Sequence, residues 1–464
     1  MELIEQATTL HQEGRLEEAE ALYELLLTQN HANADLMATM GTLYLQRKKY
    51  GLAIYFLHNA MQGMNGTERS DILSNLSLAY KGTGQYDKAV EIAEKACTLG
   101  EVHAESWANL SGYFTNTGTP DKSIELCERA LAKKPELVIA HWNLALALLE
   151  KGEWARGWDE HEWGLKKVAN ASPMRVDRGI DRIPYWDGTP GKNLWVYGEQ
   201  GIGDEIMFAS ILPDLLKQNG VVFECHKRLK HLFEHSFPSL PCYGTREDTA
   251  IEWPSDHNLH YYVSIGTLGK YFRRSWESFP GTPYLHADPI ERSKRFRIGI
   301  SWQGGGSKVG RVITRSIPLS WWQEIFSQDA EFVSLQYTEC EDEINKMESL
   351  GYEIKQYPGI KADDYYETAR VVQSCDLVIS ICTSVIHLAG ALGVPCWVLV
   401  PNRPAWRYGI SGKMAWYRSV RLYRQPNKLM KAGDPPDQGL WMPVLDKVAV
   451  DLSDLIKIRS ELAA

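Results

Sequence analysis

The chain has 464 residues, 44% of them hydrophobic and 11% aromatic, and a net charge of −9. That length predicts two or three domains with large cores, and the apolar content excludes disorder as the default. Basic and acidic residues are interspersed, which excludes a nucleic-acid footprint, and no run of about 18 apolar residues stands as a transmembrane segment. The opening MELIEQATTLHQEGRLEEAE is acidic and amphipathic, unlike a signal peptide. The eight cysteines lack C-x-x-C spacing and read as reduced core thiols of a cytoplasmic protein, not as a zinc or disulfide framework.

Residues 1–165 carry an internal repeat. Ala19, Ala53, Ala89 and Ser123 share one repeat position, stepping by 34, 36 and 34 residues. Leu76, Leu110 and Leu144 share another, each preceded by an asparagine: Asn75, Asn109 and Asn143. Tyr44, Tyr80 and Phe114 fill an aromatic slot, and Gly84, Gly118 and Gly152 mark the turn between helices. The period and the run Trp107-x-x-Leu110-Ser111-x-x-Phe114 resemble the tetratricopeptide pattern, with about five repeats stacked as an α-solenoid. The extra two residues fall near Gly63–Thr67. Such an array predicts a protein partner. The three asparagines are candidate acceptor-binding residues, a ladder of amides able to grip an extended backbone; the alternative is that they bond within the scaffold.

A helix punctuated by Trp154, Trp158 and Trp163 follows, read as packing at a domain joint. Residues 166–192 are rich in Pro, Gly and Asp without periodicity and read as an ordered linker.

Residues 193–290 form a first α/β lobe. Leu194–Tyr197 is a short strand; Gly198-Glu-Gln200-Gly201-Ile-Gly203-Asp204-Glu is a glycine loop; Ile206–Gln218 reads as a helix. The loop lets backbone approach a ligand closely, but it has neither the Walker lysine nor the G-x-G-x-x-G spacing. Asp204 is either an acid that favours the helix dipole or a general base aimed into a cleft. Val221–Cys225, Arg228–Ser236 and His260–Ile265 read as strand, helix and strand.

Residues 291–464 restart the alternation with the strand Arg297–Trp302 and a Gly-rich loop containing Gln303, Lys308, Arg311 and Arg315. A helix (Leu319–Phe326), a strand (Phe332–Gln336), a helix (Cys340–Gly351), a strand (Tyr352–Gln356) and a helix (Tyr365–Ser374) follow. Next comes DLVISICTSVIHLAGALGVPCWVLV: a strand to Cys382, Thr383-Ser384 as cap, a helix Val385–Leu392 ended by Gly393, and a strand Cys396–Val400. Alternation predicts a parallel sheet with ligands at the carboxyl ends of its strands, so the loops after Trp302, Gln336 and Cys382 should converge. A helix opening there offers free N–H groups to a diphosphate. His387, in its first turn, is either a phosphate contact or a packed core residue. Trp406 and Arg407 either stack on a base and close the cleft or simply pack. The tail Val444–Leu462 has helical spacing and is expected to cross back onto the first lobe.

LWVYGEQGIGDEIMFA, RSIPL…FVSLQ and the stretch from Asp376 to Tyr408 together resemble the glycosyltransferase domain of bacterial tetratricopeptide-repeat proteins related to the lipopolysaccharide heptosyltransferase family. The resemblance covers roughly residues 186–425. It implies a GT-B pair of Rossmann-like lobes after the solenoid, hence an α plus α/β chain with lobes at 193–290 and 291–464. It implies inverting, metal-independent transfer from a nucleotide sugar, with no further cofactor. Asp204 matches the family's acidic base, and Arg315, or the basic residue before the R-S-I-P segment, the cation that offsets leaving-group charge. Thr383, Ser384 and His387 match its phosphate-contacting turn. Gln200, Gly201, Gly203, Trp302, Gln303, Lys308, Arg311 and Gln336 complete the nucleotide-sugar contacts it suggests. The family places Asp before Thr-Ser, where this chain has Cys382, and an Asn-containing polar run where this chain has Gln303-Gly-Gly-Gly306. The acceptor implied is a protein recruited by the repeats, such as flagellin or another surface protein. A glycan or lipid-linked acceptor, and a non-catalytic scaffold with a degenerate transferase domain, are the alternatives.

Overall fold

A computed structural model describes residues 2–30, 33–64, 68–99, 102–115, 120–166, 175, 178, 183–248, 251–304, 316–361, 363–426 and 437–463. The chain divides into two compact units: the first runs to Leu148 and resumes at Asp159; the second holds Leu149–Trp158 and the chain from Arg175.

The first unit is built from α1 (Glu2–Gln12), α2 (Leu16–Gln29), α3 (Ala34–Gln46), α4 (Tyr50–Gly63), α5 (Ser70–Gly82), α6 (Tyr86–Ala96), α7 (Ala104–Phe114), α8 (Pro120–Lys133), α9 (Val138–Lys151) and α10 (Trp154–His161), the last two shared with the second unit. The helices form five pairs, matching the repeat count expected from the period. Four of the pairs turn through a residue with positive φ: Gly14, Gly84 and Gly152, with Lys48 taking the same conformation at φ 59°. Gly118 and the extra residues 65–67 lie outside the described residues. Ala19, Ala53 and Ala89 are fully buried, as close helix packing at the shared small position requires.

The asparagine ladder is turned inward. Asn75 Nδ2 donates to Thr42 Oγ1 at 3.0 Å, Asn109 Nδ2 to Ser74 Oγ at 2.8 Å, and Asn143 Nδ2 to both Ala108 O and Ser111 Oγ at 2.9 and 3.0 Å. Each amide reaches back to the first helix of the preceding repeat. Each amide therefore bonds within the scaffold through Nδ2, as the second of the two readings expects. Buried hydroxyls extend the network: Ser70 and Ser106 meet at 2.8 Å, and Tyr113 OH donates to Ser77 O at 3.0 Å.

The second unit contains two parallel sheets. The first lobe has β1 (Asn193–Tyr197), β2 (Gly220–Glu224), β3 (Cys242–Tyr243) and β4 (Tyr261–Ser264) in the order β3-β2-β1-β4, with α11 (Ile202–Ala209), α12 (Leu212–Leu215), α13 (Lys230–Ser236) and α14 (Leu268–Phe272). The second lobe has β5 (Arg297–Ser301), β6 (Glu331–Ser334), β7 (Ile354–Lys355), β8 (Leu377–Ile381), β9 (Cys396–Val400) and β10 (Val420–Arg424) in the order β10-β9-β8-β5-β6-β7. Its helices are α15 (Gln323–Phe326), α16 (Glu341–Ser349), α17 (Tyr365–Gln373), α18 (Ser384–Leu392) and α19 (Gln438–Ala463). Counted within its lobe, the second sheet runs 3-2-1-4-5-6, the order of a doubly wound nucleotide-binding sheet, and the first lobe repeats its 3-2-1-4 half. Strands β5, β8 and β9 are buried throughout, as a parallel sheet covered on both faces requires.

Three expectations change. The helix expected at Ile206–Gln218 starts at Ile202 and breaks after Ala209, where Pro213 enters the first turn of a new helix. The tail helix α19 packs on the second lobe, not the first: Trp441, Val444, Leu445, Val448 and Leu452 join the core of Ile298, Ile300, Leu377 and Leu399. The tryptophans also divide. Trp154 packs on Phe279 with ring centroids 4.6 Å apart, and Trp158 on Trp406 at 5.6 Å while its Nε1 donates to Arg273 O, all within the second unit. Trp163 stacks on His141 at 3.6 Å in the first.

Asn143→Ala removes two buried hydrogen bonds and is expected to lower stability by about 1–2 kcal/mol. Asn75→Ala removes one half-buried bond and should cost less. Urea denaturation of the two variants checks the order; equal effects would contradict it.

Candidate functional site

In a doubly wound sheet the ligand crevice lies where strand order reverses, outside the carboxyl ends of the strands. That point falls between β1 and β4 in the first lobe and between β5 and β8 in the second.

The first crevice is filled by the chain itself. Arg175 and Glu199, both fully buried, pair at 2.9 Å, and the guanidinium also donates to Ser264 Oγ at 2.7 Å and Thr267 Oγ1 at 2.9 Å. Two more buried glutamates line the same edge. Glu205 on α11 accepts from Arg246 Nη1 and from His226 N, each at 2.8 Å, and Glu224 at the end of β2 pairs with Arg178. Gly198 makes room for them, since a Cβ there would meet the Glu205 carboxylate at 2.3 Å. None of these pairs was anticipated. The only signal in the sequence is that Glu199 and Glu205 bracket the glycine loop, and their partners lie 24 residues before and 41 after.

The glycine loop leads directly to the second lobe. Gln200 takes φ 62°, a strained value for a residue with a Cβ, and its carbonyl accepts from Arg246 at 3.0 Å. Gly203, in the first turn of α11, lies against the first turn of α18: a Cβ would stand 3.1 Å from His387 Cδ2 and 3.2 Å from Ser384 Cα. Asp204 accepts from Gly201 N at 3.4 Å through Oδ2, and its other oxygen is ion-paired with Arg407 of the second lobe. Gln200, Gly201, Gly203, Asp204, Ser384 and His387 are thus brought together.

In the second crevice, Thr383 caps α18 in extended conformation and its Oγ1 lies 3.2 Å from Ser380 Oγ. Ser384 Oγ accepts from Tyr365 OH at 2.7 Å. Cys382 is buried with Sγ 3.9 Å from Leu399 O. His387 is a packing residue: it is 3% exposed, its Nδ1 lies 3.2 Å from Tyr417 OH, and burial pulls its pKa down to about 3. A neutral imidazole brings no positive charge, so of the two readings the burial and the Tyr417 contact favour the packed one.

Trp302, Gln303 and Gln336 form a separate latch. Gln336 is buried; its Oε1 accepts from Ser301 Oγ, Trp302 N and Gln303 N at 3.1–3.2 Å, and its Nε2 donates to Gln303 O and Thr338 Oγ1 at 3.0 and 2.7 Å. Trp302 is fully buried with Nε1 donating to Glu343 at 3.0 Å. These groups hold the loops after β5 and β6 together. Lys308, Arg311 and Arg315 lie outside the described residues.

Against this geometry stand the relatives. Residues 70–100 and 3–24 match two family models, each described as a tetratricopeptide repeat. The N-terminal helix pairs are tetratricopeptide repeats. The curated "Protein FlbA" of Caulobacter vibrioides is 29% identical over 348 residues, which cover 69% of this chain and 56% of FlbA. This chain thus aligns with little more than half of that relative. Among solved structures, YrrB, titled a TPR protein with an unusual peptide-binding site, aligns at 20% identity with 35% of this chain and 82% of its own, with a TM-score of 0.27. MamA aligns at 20% identity with 34% of this chain and 91% of its own, with a TM-score of 0.28.

Burial raises Glu205 to about 7, against the opposing pull of Arg246. A carboxyl raised in the folded state contributes stability that is fully present below its ordinary pKa and lost as pH rises through about 7. Glu205→Gln removes that titration. Its stability relative to the parent should climb by on the order of 3 kcal/mol between pH 5 and pH 8. Denaturant titrations across that range test it; a constant difference would contradict it.

Proposed function

We propose that the second unit is a GT-B-like glycosyltransferase domain that moves a sugar from a nucleotide-sugar donor to a protein acceptor recruited by the repeats. The observation that carries this reading is the meeting of the two helices that follow β1 and β8, at Gly203 and Ser384, beside a carboxylate from one lobe and a guanidinium from the other. Two doubly wound lobes joined at their strand carboxyl ends suit a substrate divided between them, the donor against α18 and the acceptor beside Asp204.

In the proposed step Asp204 takes the proton of an acceptor hydroxyl, and that oxygen bonds to the anomeric carbon of the donor sugar. The bond from this carbon to the diphosphate breaks, and its electron pair leaves with the nucleotide. A cation and the α18 N–H groups offset the charge that develops on the leaving phosphate. The repeats raise the local concentration of a protein acceptor. The donor needs no metal in this scheme, since protein groups neutralise the phosphate.

The second reading is a protein-interaction scaffold whose lobes do no chemistry. Two observations favour it: buried Cys382 stands where a donor-binding carboxylate is expected, and Asp204 is already paired.

One experiment separates the two: the full chain is incubated with cell lysate and a panel of labelled nucleotide sugars, and labelled proteins are identified by mass spectrometry. Asp204→Asn is expected to lower transfer about 10²–10⁴-fold without weakening donor binding. Unchanged transfer by the variant excludes Asp204 as base, and no labelling by the parent with any donor favours the scaffold.

A further inference from the structure

Asp204 and Arg407 hold each other in a way that disables both for the proposed reaction. A carboxylate paired with a guanidinium is stabilised as the anion and is a poor base. A guanidinium paired with a carboxylate has less positive potential to offer a phosphate. Resting on the glycosyltransferase reading above, we propose that Arg407 is the diphosphate-binding cation of the site, and that a donor gains it by displacing Asp204, which is thereby freed as the base.

Three observations support the exchange. Arg407 lies in the 3₁₀ turn Trp406–Tyr408 beyond the end of β9, at the carboxyl edge of the second sheet. Its partner comes from the other lobe, and the two side chains are only 14% and 17% exposed, so the pair is shielded from solvent screening. Arg407 Nε and Asp204 Oδ1 are both buried without a hydrogen-bond partner among the described residues, so the two side chains meet as an ion pair that leaves donor and acceptor capacity unused. A cavity of about 210 Å³ opens on another side of Arg407, lined by Lys151, Lys413 and Glu150 and by Trp154, Trp276 and Tyr408, with no residue of α11 or α18 in its wall.

The physical case is one of matching charge. Arginine offers a planar fork of donors that fits phosphate oxygens in pairs. A diphosphate presents more negative charge and more acceptor oxygens than one carboxylate. It can satisfy Nε as well as the terminal nitrogens, which Asp204, held on its own helix, does not. Burial also lowers Arg407 from its ordinary pKa, yet a guanidinium stays cationic, so the group needs an anion at every stage. Exchange supplies one before and after. It also imposes an order: the base is released only once donor phosphate is in place, so no acceptor hydroxyl is activated at an empty site.

The test is calorimetric titration of the full chain and of Asp204→Asn, Arg407→Gln and the double variant with inorganic pyrophosphate, uridine diphosphate and guanosine diphosphate. Removing the competing carboxylate should tighten pyrophosphate about tenfold, within the usual range of coupling between two sites. Arg407→Gln should weaken it by a similar factor, and Asp204→Asn should have no effect when added to Arg407→Gln. Arg407→Lys, which keeps the charge but loses the fork, should fall between, and circular dichroism confirms that each variant is folded. If Arg407→Gln weakens binding but Asp204→Asn does not tighten it, Arg407 is a contact and the exchange is wrong. Equal affinity in all forms overturns the proposal for Arg407 and leaves the donor site standing. If no probe binds any folded form, the donor reading falls with it.

Discussion

Two helices meet at their N-termini through a single glycine, and this contact sets the terms for everything around it. The first turn of α11 lies against the first turn of α18 at Gly203, where even a methyl group would press on Ser384 backbone and the His387 ring. Each N-terminus carries roughly half a positive charge from its aligned peptides. Bringing two together is unfavourable unless an anion lies close by. Asp204, in the first turn of α11, supplies one, and Arg407 then balances the carboxylate from the second lobe. The site therefore has a resident anion and a resident cation, both drawn from the chain and from opposite lobes. An incoming diphosphate would serve the same electrostatic need as Asp204, which is why competition between them follows from the geometry.

The two lobes treat equivalent crevices differently. The first lobe closes its crevice with Arg175 and Glu199, tied to Ser264 and Thr267, and surrounds it with the Glu205–Arg246 and Glu224–Arg178 pairs. Burying charge is costly, and such pairs hold only where geometry and further hydrogen bonds compensate. Here Gly198 and Gly266 clear the space: a Cβ at Gly266 would stand 2.1 Å from a Glu199 oxygen. The second lobe lines its crevice with neutral groups, Thr383, Ser384 and Cys382, beside the N-terminus of α18. A lobe locked by its own ion pairs is rigid and poorly suited to take up an anion. A lobe with a helix N-terminus and hydroxyls at its crevice suits one. The difference assigns the donor to the second lobe in the proposed reaction and leaves the first to position Asp204.

Much of the second lobe was legible in the sequence because local rules govern it. The run from Asp376 to Val400 folds as read, with β8, α18 and β9 within a residue or two of expectation and Gly393 at φ 76° ending the helix. The repeat array was legible from its period. What the sequence hid depends on partners far along the chain. The short strands β3 and β10 are edge strands of two and five residues without clear alternation. The Asn75, Asn109 and Asn143 side chains could be placed on the right helices, but their direction depends on Thr42, Ser74 and Ser111 one repeat earlier. His387 sits where the pattern put it, yet the groups it packs against, Gly203 and Tyr417, come from different elements. Gln336 was placed correctly at the carboxyl edge of its sheet, but its many hydrogen bonds make it a joint between loops. Arg407 lacked any local signal for its partner, because Asp204 lies in the other lobe.

Hydrogen–deuterium exchange of the full chain with and without a saturating nucleoside diphosphate tests the central claim most directly, namely that the junction of α11 and α18 is one anion site. The account predicts slower exchange at the amides of Ser384–His387, and a change of protection at Gly201–Asp204 and Trp406–Tyr408 in the same titration, with one midpoint. Protection confined to other segments, or no change at Ser384–His387 when binding is complete, would contradict it.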